Sequence, residues 1–140
     1  MQSVLDYPLV YTQHVAWGDM DAFGHVNNAV YLTYAELARV DWGGKEFAPK
    51  QGSSVLVEMT VAHSEVDYLL PITKFGVDYD VNLWVESIGN TSFTMAYAVT
   101  RDGVVFAKMK TVQVMIDIEK MKSRPISDTE RAFLNKYLVS

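Results

Sequence analysis

Cysteine is absent from these 140 residues, which excludes a disulfide framework, a thiolate nucleophile and any metal site built on thiolates. Histidine is scarce as well. Its three positions, His14, His25 and His63, offer no paired spacing backed by a carboxylate, so no metal site is expected. No apolar run approaches the roughly 18 residues of a membrane span, and the opening MQSVLDYPLV lacks the basic start and long apolar core of a signal peptide. A cytoplasmic location without a membrane span is the expectation. Internal repeats, low-complexity stretches and dividing linkers are also missing, so residues 1–140 are expected to form a single domain.

Positive charge is thin where the chain begins. Residues 1–100 carry 4 basic and 12 acidic side chains, or −8, while residues 101–140 carry 8 basic and 5 acidic, or +3. An acidic chain disfavours nonspecific binding to nucleic acid, and no nucleic-acid partner is expected. The late basic residues Arg101, Lys108, Lys110, Lys120, Lys122 and Arg124 allow two arrangements. They could gather at one edge and meet a small polyanion, or they could form a solvated strand face on which lysine blocks edge pairing.

What is present is periodicity. Leu9 to Trp17 reads as a short aromatic strand, and from about Val26 the pattern turns helical, with Val30, Tyr34, Leu37 and Asp41 on one stripe and Ala29, Leu32 and Glu36 on the next. This helix has few strongly polar positions, which predicts burial over most of its circumference. Gly43 and Gly44 end it, and Ala48 to Gly52 reads as a loop. Strands follow at Val55 to Val61, Glu65 to Leu69, Val77 to Glu86 and Phe93 to Thr100. Asp102-Gly103 marks a hairpin into a long strand from Val104 to Ile118, with a bulge expected near Lys108 to Lys110, where alternation is weakest. Ser127 and Glu130 form a capping box for a short helix bearing Phe133, Leu134, Tyr137 and Leu138. A long helix after the first strand, then a run of mainly antiparallel strands, predicts an α+β domain whose curved sheet of about five strands wraps the helix.

Chemistry concentrates between Trp17 and Arg39, in WGDMDAFGHVNNAVYLTYAELAR. A helix opening just after Gly24 would leave its first N–H groups without partners and positively polarised, able to hold a carbonyl oxygen. Asp21 stands a few residues upstream. A carboxylate beside such donors suits acyl transfer or hydrolysis, with one group attacking or deprotonating water while the other stabilises the oxyanion.

The same stretch resembles the signature of the hotdog-fold acyl-CoA thioesterases of the 4-hydroxybenzoyl-CoA thioesterase type. The residues that carry the resemblance are Asp19, Asp21, Gly24, His25, Val26, Asn27, Asn28, Tyr31, Leu32, Tyr34, Glu36, Ala38 and Arg39, the D-x-D-x-x-G-H-V-N-N branch. The order of elements continues to match down to about Tyr137. Ala22 follows the second acid in place of the proline of the aryl-CoA enzymes. The resemblance implies a hotdog fold, hydrolysis of an acyl-CoA to free acid and thiol, no cofactor, and a homo-oligomer, dimer or tetramer, with active sites across the dimer interface. An acyl-carrier-protein thioesterase and a non-catalytic acyl-CoA binding module are the alternatives.

Residue by residue, Asp21 is expected to be general base or nucleophile, although an aspartate there could also simply stabilise the turn. Asn28 sits where the family places the backbone N–H that binds the thioester carbonyl. His25 either takes part as an acid or base, since an imidazole exchanges its proton near neutrality, or is fixed by backbone hydrogen bonds. Asn27 could cap the helix or touch substrate. Tyr31, Thr91 and Ser92 are further substrate-binding candidates, the last two because their G-N-T-S turn resembles one near the family's ligand channel. Asp19 should support the loop. Glu36 is either a second carboxylate or an i,i+3 partner of Arg39.

Overall fold

The computed structural model describes residues 8–44 and 58–139. Six strands form one antiparallel sheet: β1 (Leu9–Val15), β2 (Met59–Tyr68), β3 (Val77–Ile88), β4 (Ser92–Arg101), β5 (Val104–Asp117) and β6 (Lys122–Ser123). Their order is β1-β3-β4-β5-β2, with β6 paired to β5. Two helices, α1 (Val30–Trp42) and α2 (Asp128–Asn135), complete the described elements.

Helix α1 lays one face on the sheet. Tyr31, Tyr34, Ala35, Ala38 and Trp42 recur at the three- and four-residue steps that keep a single stripe inward, and all are buried. The opposite face keeps Leu37 43% and Val40 57% exposed, so within one chain the helix is covered on one side and not around its circumference. At 13 residues it is an ordinary helix in length. Facing it are Val81, Leu83 and Val85 of β3, Met95, Tyr97 and Val99 of β4, and Ala107, Met109 and Met115 of β5, the inward members of strict alternation.

Two core positions on β5 are polar. Thr111 and Gln113 point inward among the methionines, and both are buried. The Arg39 guanidinium, also buried, donates from Nη1 to Tyr97 Oη at 3.1 Å; that oxygen lies 2.7 Å from Thr111 Oγ1, which in turn donates to Gln113 Oε1. Gln113 Nε2 closes the series on the Phe93 carbonyl at 3.2 Å. Burial pushes the Tyr97 phenol up, and the Arg39 charge pulls it part of the way back. Among the described residues no ion pair joins Glu36 to Arg39: Arg39 turns into the core while Glu36 faces outward.

Several sequence expectations shift. The two short strands expected between Val55 and Leu69 form one strand, β2, with a bulge at Ala62 between Val61 and His63; residues 45–57, including the expected loop from Ala48 to Gly52, lie outside the described residues. β5 has no bulge at Lys108 to Lys110. Those lysines pair in regular register with Ala98 and Ala96, and the irregularity falls at Phe106, beside the Asp102-Gly103 turn. The capping box forms as read: Ser127 Oγ accepts from Glu130 N at 3.2 Å, and Glu130 Oε1 accepts from Ser127 N at 2.8 Å. Tyr137 and Leu138 lie just beyond α2, where Tyr137 meets Trp42 edge-on and Phe133 stacks on the same indole.

Candidate active site

After β1 the chain makes a single 3-10 turn at Trp17–Asp19 and then a tight loop closed by a bridge between Met20 and Val26. Gly24 N donates to the Asp21 carbonyl at 3.0 Å and Asp21 N to the His25 carbonyl at 2.9 Å. Gly24 takes φ 76°, the left-handed conformation in which a side chain is strained, so this turn requires a glycine there. Asp19 braces the loop from below. Its Oδ2 accepts from Ala16 N at 3.0 Å and from Tyr34 Oη at 2.7 Å, and its carbonyl accepts from Asn27 N at 2.9 Å. Burial, and then the hydrogen bond to Asp19, push the Tyr34 phenol far above its ordinary value, which keeps it a donor.

Helix α1 opens later than expected, at Val30 rather than just after Gly24. The intervening N–H groups have other acceptors: Val26 N donates to Ile72 O, Asn27 N to Asp19 O, Ala29 N to Asn27 Oδ1 and Val30 N to Asn27 O, each at 2.9 Å. His25 and Asn28 are the exceptions: among the described residues neither N–H has an acceptor, and both residues line a cavity of about 470 Å³ together with Asp21, Phe23, Tyr31 and Tyr68, with Asn28 the one nearer the start of the helix. The polarised donor is therefore a turn N–H just ahead of the helix, not one of the helix's own.

Asp21 is partly buried. Its Oδ1 accepts from Phe23 N at 2.9 Å, and Oδ2 lies 3.4 Å from Asn27 Nδ2. The Asn27 amide thus reaches the carboxylate with one end and the backbone at Ala29 with the other, bridging the two halves of the site. An anchored carboxylate and an uncommitted N–H on one cavity wall can jointly activate water and polarise a carbonyl.

A sequence model of the thioesterase-like superfamily matches residues 15–134. The chain belongs to that superfamily. Its fold is the hotdog fold of thioester hydrolases, and solved members resemble it along nearly their whole length. A thioesterase from Thermus thermophilus, complexed with coenzyme A and Zn, is 31% identical, with 94% of each chain covered and a TM-score of 0.79. A structure described as that of a predicted thioesterase from Bacillus stearothermophilus is 29% identical, covering 94% of this chain and 96% of its own, with a TM-score of 0.83. A thioesterase superfamily structure from Jannaschia sp. CCS1 reaches a TM-score of 0.86 at 23% identity over 100% of this chain and 99% of its own, a likeness of fold.

Within this superfamily member the signature residues separate into groups. Asp21, His25, Asn28 and Tyr31 line the cavity; Asn27 supports them from behind. The His25 imidazole is exposed and, among the described residues, makes no hydrogen bond, so any brace at this turn comes from its backbone carbonyl and not from the ring. Tyr31 is buried, which raises its phenol, with a backbone hydrogen bond at Ile72 partly offsetting the rise. Thr91 and Ser92 stand apart, in the β3–β4 turn, where the Thr91 carbonyl accepts from Met115 N and the Ser92 carbonyl from Gly89 N. They are not among the residues lining the cavity.

None of the late basic residues lines this cavity. Lys110 pairs with Glu86 at 2.9 Å, Arg124 with Glu130 at 2.9 Å, and Arg101 lies over the Tyr79 ring and 3.7 Å from Asp102. Sequence reading missed the far wall. Tyr68, which ends β2, and Leu69, Leu70 and Pro71 after it close the cavity from the other side, and the only local signal was a strand ending before a proline. Among the described residues no helix is long and apolar enough to cross a membrane.

Proposed function

We propose that the chain hydrolyses acyl-CoA to the free acid and coenzyme A. The observation that carries this reading is the uncommitted Asn28 N–H on the same cavity wall as the Asp21 carboxylate. In this reading the thioester carbonyl oxygen accepts from the Asn28 N–H and lies toward the positive end of α1, and the two stabilise the oxyanion as it forms. Asp21 either removes a proton from the attacking water or attacks the carbonyl carbon itself to give a mixed anhydride that water then opens; in both cases the thiolate of coenzyme A leaves. No cofactor takes part. Coenzyme A as the thiol is supported by the Thermus thermophilus thioesterase, whose structure holds it. A carrier-protein substrate would ask for basic residues at the mouth, and none of the described lining residues is lysine or arginine.

Release of thiol from acyl-CoAs of graded length and from aryl-CoAs tests the reaction. In the same assay Asn28→Ala keeps the backbone donor, so kcat should fall by less than about tenfold, and His25→Ala should also cost less than loss of the Asp21 carboxylate. If Asn28→Ala in a folded protein proves as damaging as loss of that carboxylate, the side-chain amide carries the chemistry and the assignment to the backbone is wrong.

The working unit in this proposal is a dimer or tetramer. Phe23 is 84% exposed at the cavity mouth, with Tyr68, Leu69 and Leu70 about half exposed beside it, a contiguous apolar rim that a second copy would cover. Light scattering at micromolar concentration should give twice or four times the chain mass. A monomer that turns over substrate at the same rate would remove the partner from the site.

A further inference from the structure

The peptide next to the proposed oxyanion donor is gripped from a distant part of the chain. Tyr68, the last residue of β2 and 40 positions from Asn28, donates its hydroxyl to the Asn28 carbonyl at 2.7 Å. Its ring stands edge-on to Tyr31 with centroids 5.1 Å apart, and Tyr31 is buried in the first turn of α1, so the phenol is aimed by a fixed wall. The neighbouring constraints are complete. Asn27 Oδ1 holds the N–H of the same Asn28–Ala29 peptide, and Val30 N holds the Asn27 carbonyl at the opposite face of the peptide that bears the free N–H. Asn28 is thereby pinned on both sides, and its N–H direction follows from those anchors. With the Tyr68 hydroxyl removed, the Asn28–Ala29 peptide keeps only its Asn27 Oδ1 anchor, so the torsions at Asn28 are less restrained and the neighbouring N–H is aimed less sharply.

We propose that Tyr68 is a positioning residue for the thioester hydrolysis, its hydroxyl setting the direction of the Asn28 N–H toward the substrate carbonyl. This rests on the reading of Asn28 N–H as the oxyanion donor. A donor that is held in place requires no reorganisation as charge develops, whereas a loosened one forfeits part of that advantage without losing the site. The effect belongs to the chemical step and not to substrate affinity, because the aromatic wall that Tyr68 presents to the cavity is unchanged in phenylalanine.

Tyr68→Phe is the test, and Tyr68 is half exposed, so deleting one oxygen leaves the core intact. The expected result is a fall in kcat of about tenfold, with KM within about twofold, the effect of one neutral hydrogen bond lost beside an oxyanion site. A second measurement reads the donor directly. A keto analogue of acyl-CoA, with methylene in place of sulfur, cannot be hydrolysed; its bound C=O stretch should lie below the free value in wild type and move back toward it in Tyr68→Phe. An unchanged stretch, or a rise in KM with kcat preserved, would overturn the inference and leave Tyr68 as cavity wall. If Asp21→Asn is inert as well, the hydrolytic reading itself has failed; if Asp21→Asn is crippled and Tyr68→Phe is not, only the positioning role has.

Discussion

Asp21→Asn should lower kcat by about 10²–10⁴-fold, the usual contribution of a positioned general base, and leave KM within a few-fold. The substitution preserves the anchor that fixes the side chain, since an amide oxygen can still accept from Phe23 N as Oδ1 does at 2.9 Å. What changes is the other end. Asn27 Nδ2 lies 3.4 Å from Asp21 Oδ2 and would face a second donor, and Asn27 cannot turn over without giving up the Ala29 N–H held at 2.9 Å. The turn should therefore loosen slightly, at a cost below about 1 kcal/mol, while the base is lost outright. Steady-state kinetics with a melting curve on the same sample separates the two. Undiminished turnover would point to a binding module, with the hydrolysis coming from a contaminant.

The largest effect on stability is expected far from that site. Glu130 is fully buried at the start of α2, where both carboxylate oxygens are taken: Arg124 Nη1 at 2.9 Å and Ser127 N at 2.8 Å on one, Arg124 Nη2 at 3.0 Å on the other. Arg124→Ala strands this carboxylate in the interior, which should cost about 3 kcal/mol and lower Tm by about 10 °C. Burial alone would raise the Glu130 pKa, but the hydrogen bonds from Arg124 and Ser127 outweigh it and hold the carboxyl below its ordinary 4.5. The folded state then binds fewer protons than the unfolded one around that pH. In wild type the contribution of the pair is full above about pH 4.5 and is lost as pH falls through the depressed value; in Arg124→Ala the stranded carboxyl, without its main partner, takes up a proton at higher pH, so the gap between the two proteins should narrow as pH falls from that point down through the depressed wild-type value. Chemical denaturation at several pH values measures it. Equal melting of the two proteins at pH 7 would show that the pair is not a clamp.

The parts of the fold that follow from local rules were legible before any coordinates. β3 alternates in sequence and, apart from the buried Asn82, broadly in burial, and the capping box at Ser127 forms between the residues read for it. Failures came where a distant partner overrides a local pattern. The start of α1 moves to Val30 because Val26 bridges to Met20 and donates to the Ile72 carbonyl while Asn27 donates to that of Asp19, contacts with distant or upstream partners that hold this stretch out of the helix. Burial over most of the circumference of α1 was inferred from its few strongly polar positions, yet Leu37 and Val40 are exposed, and their surroundings depend on what lies outside one chain. In the cavity, Asp21 and Asn28 were readable because they are near each other in sequence, whereas Tyr68 and Pro71 reach the same space through the sheet and carry no mark that says so. Thr91 and Ser92 lie apart from this cavity, the Ser92 carbonyl closing the β3–β4 turn on Gly89 and the Thr91 carbonyl accepting from Met115 of β5.

The buried polar series from Arg39 to Gln113 bears on how β5 finds its place. The apolar members of this 14-residue strand's inward face are Ala107, Met109 and Met115, and by apolar burial alone a displacement of two residues keeps the same face inward. Thr111 and Gln113 break that degeneracy. Sliding β5 by two would put Met109 or Gln113 in the place of Thr111 beside the Tyr97 hydroxyl; with methionine there the buried phenol, which still accepts from Arg39, loses its Thr111 partner, and either shift breaks the Gln113 bond to the Phe93 carbonyl, a greater cost than any methionine mismatch. Two side chains that look like blemishes in a hydrophobic strand act as a key, so that a repetitive ribbon has one address on the sheet.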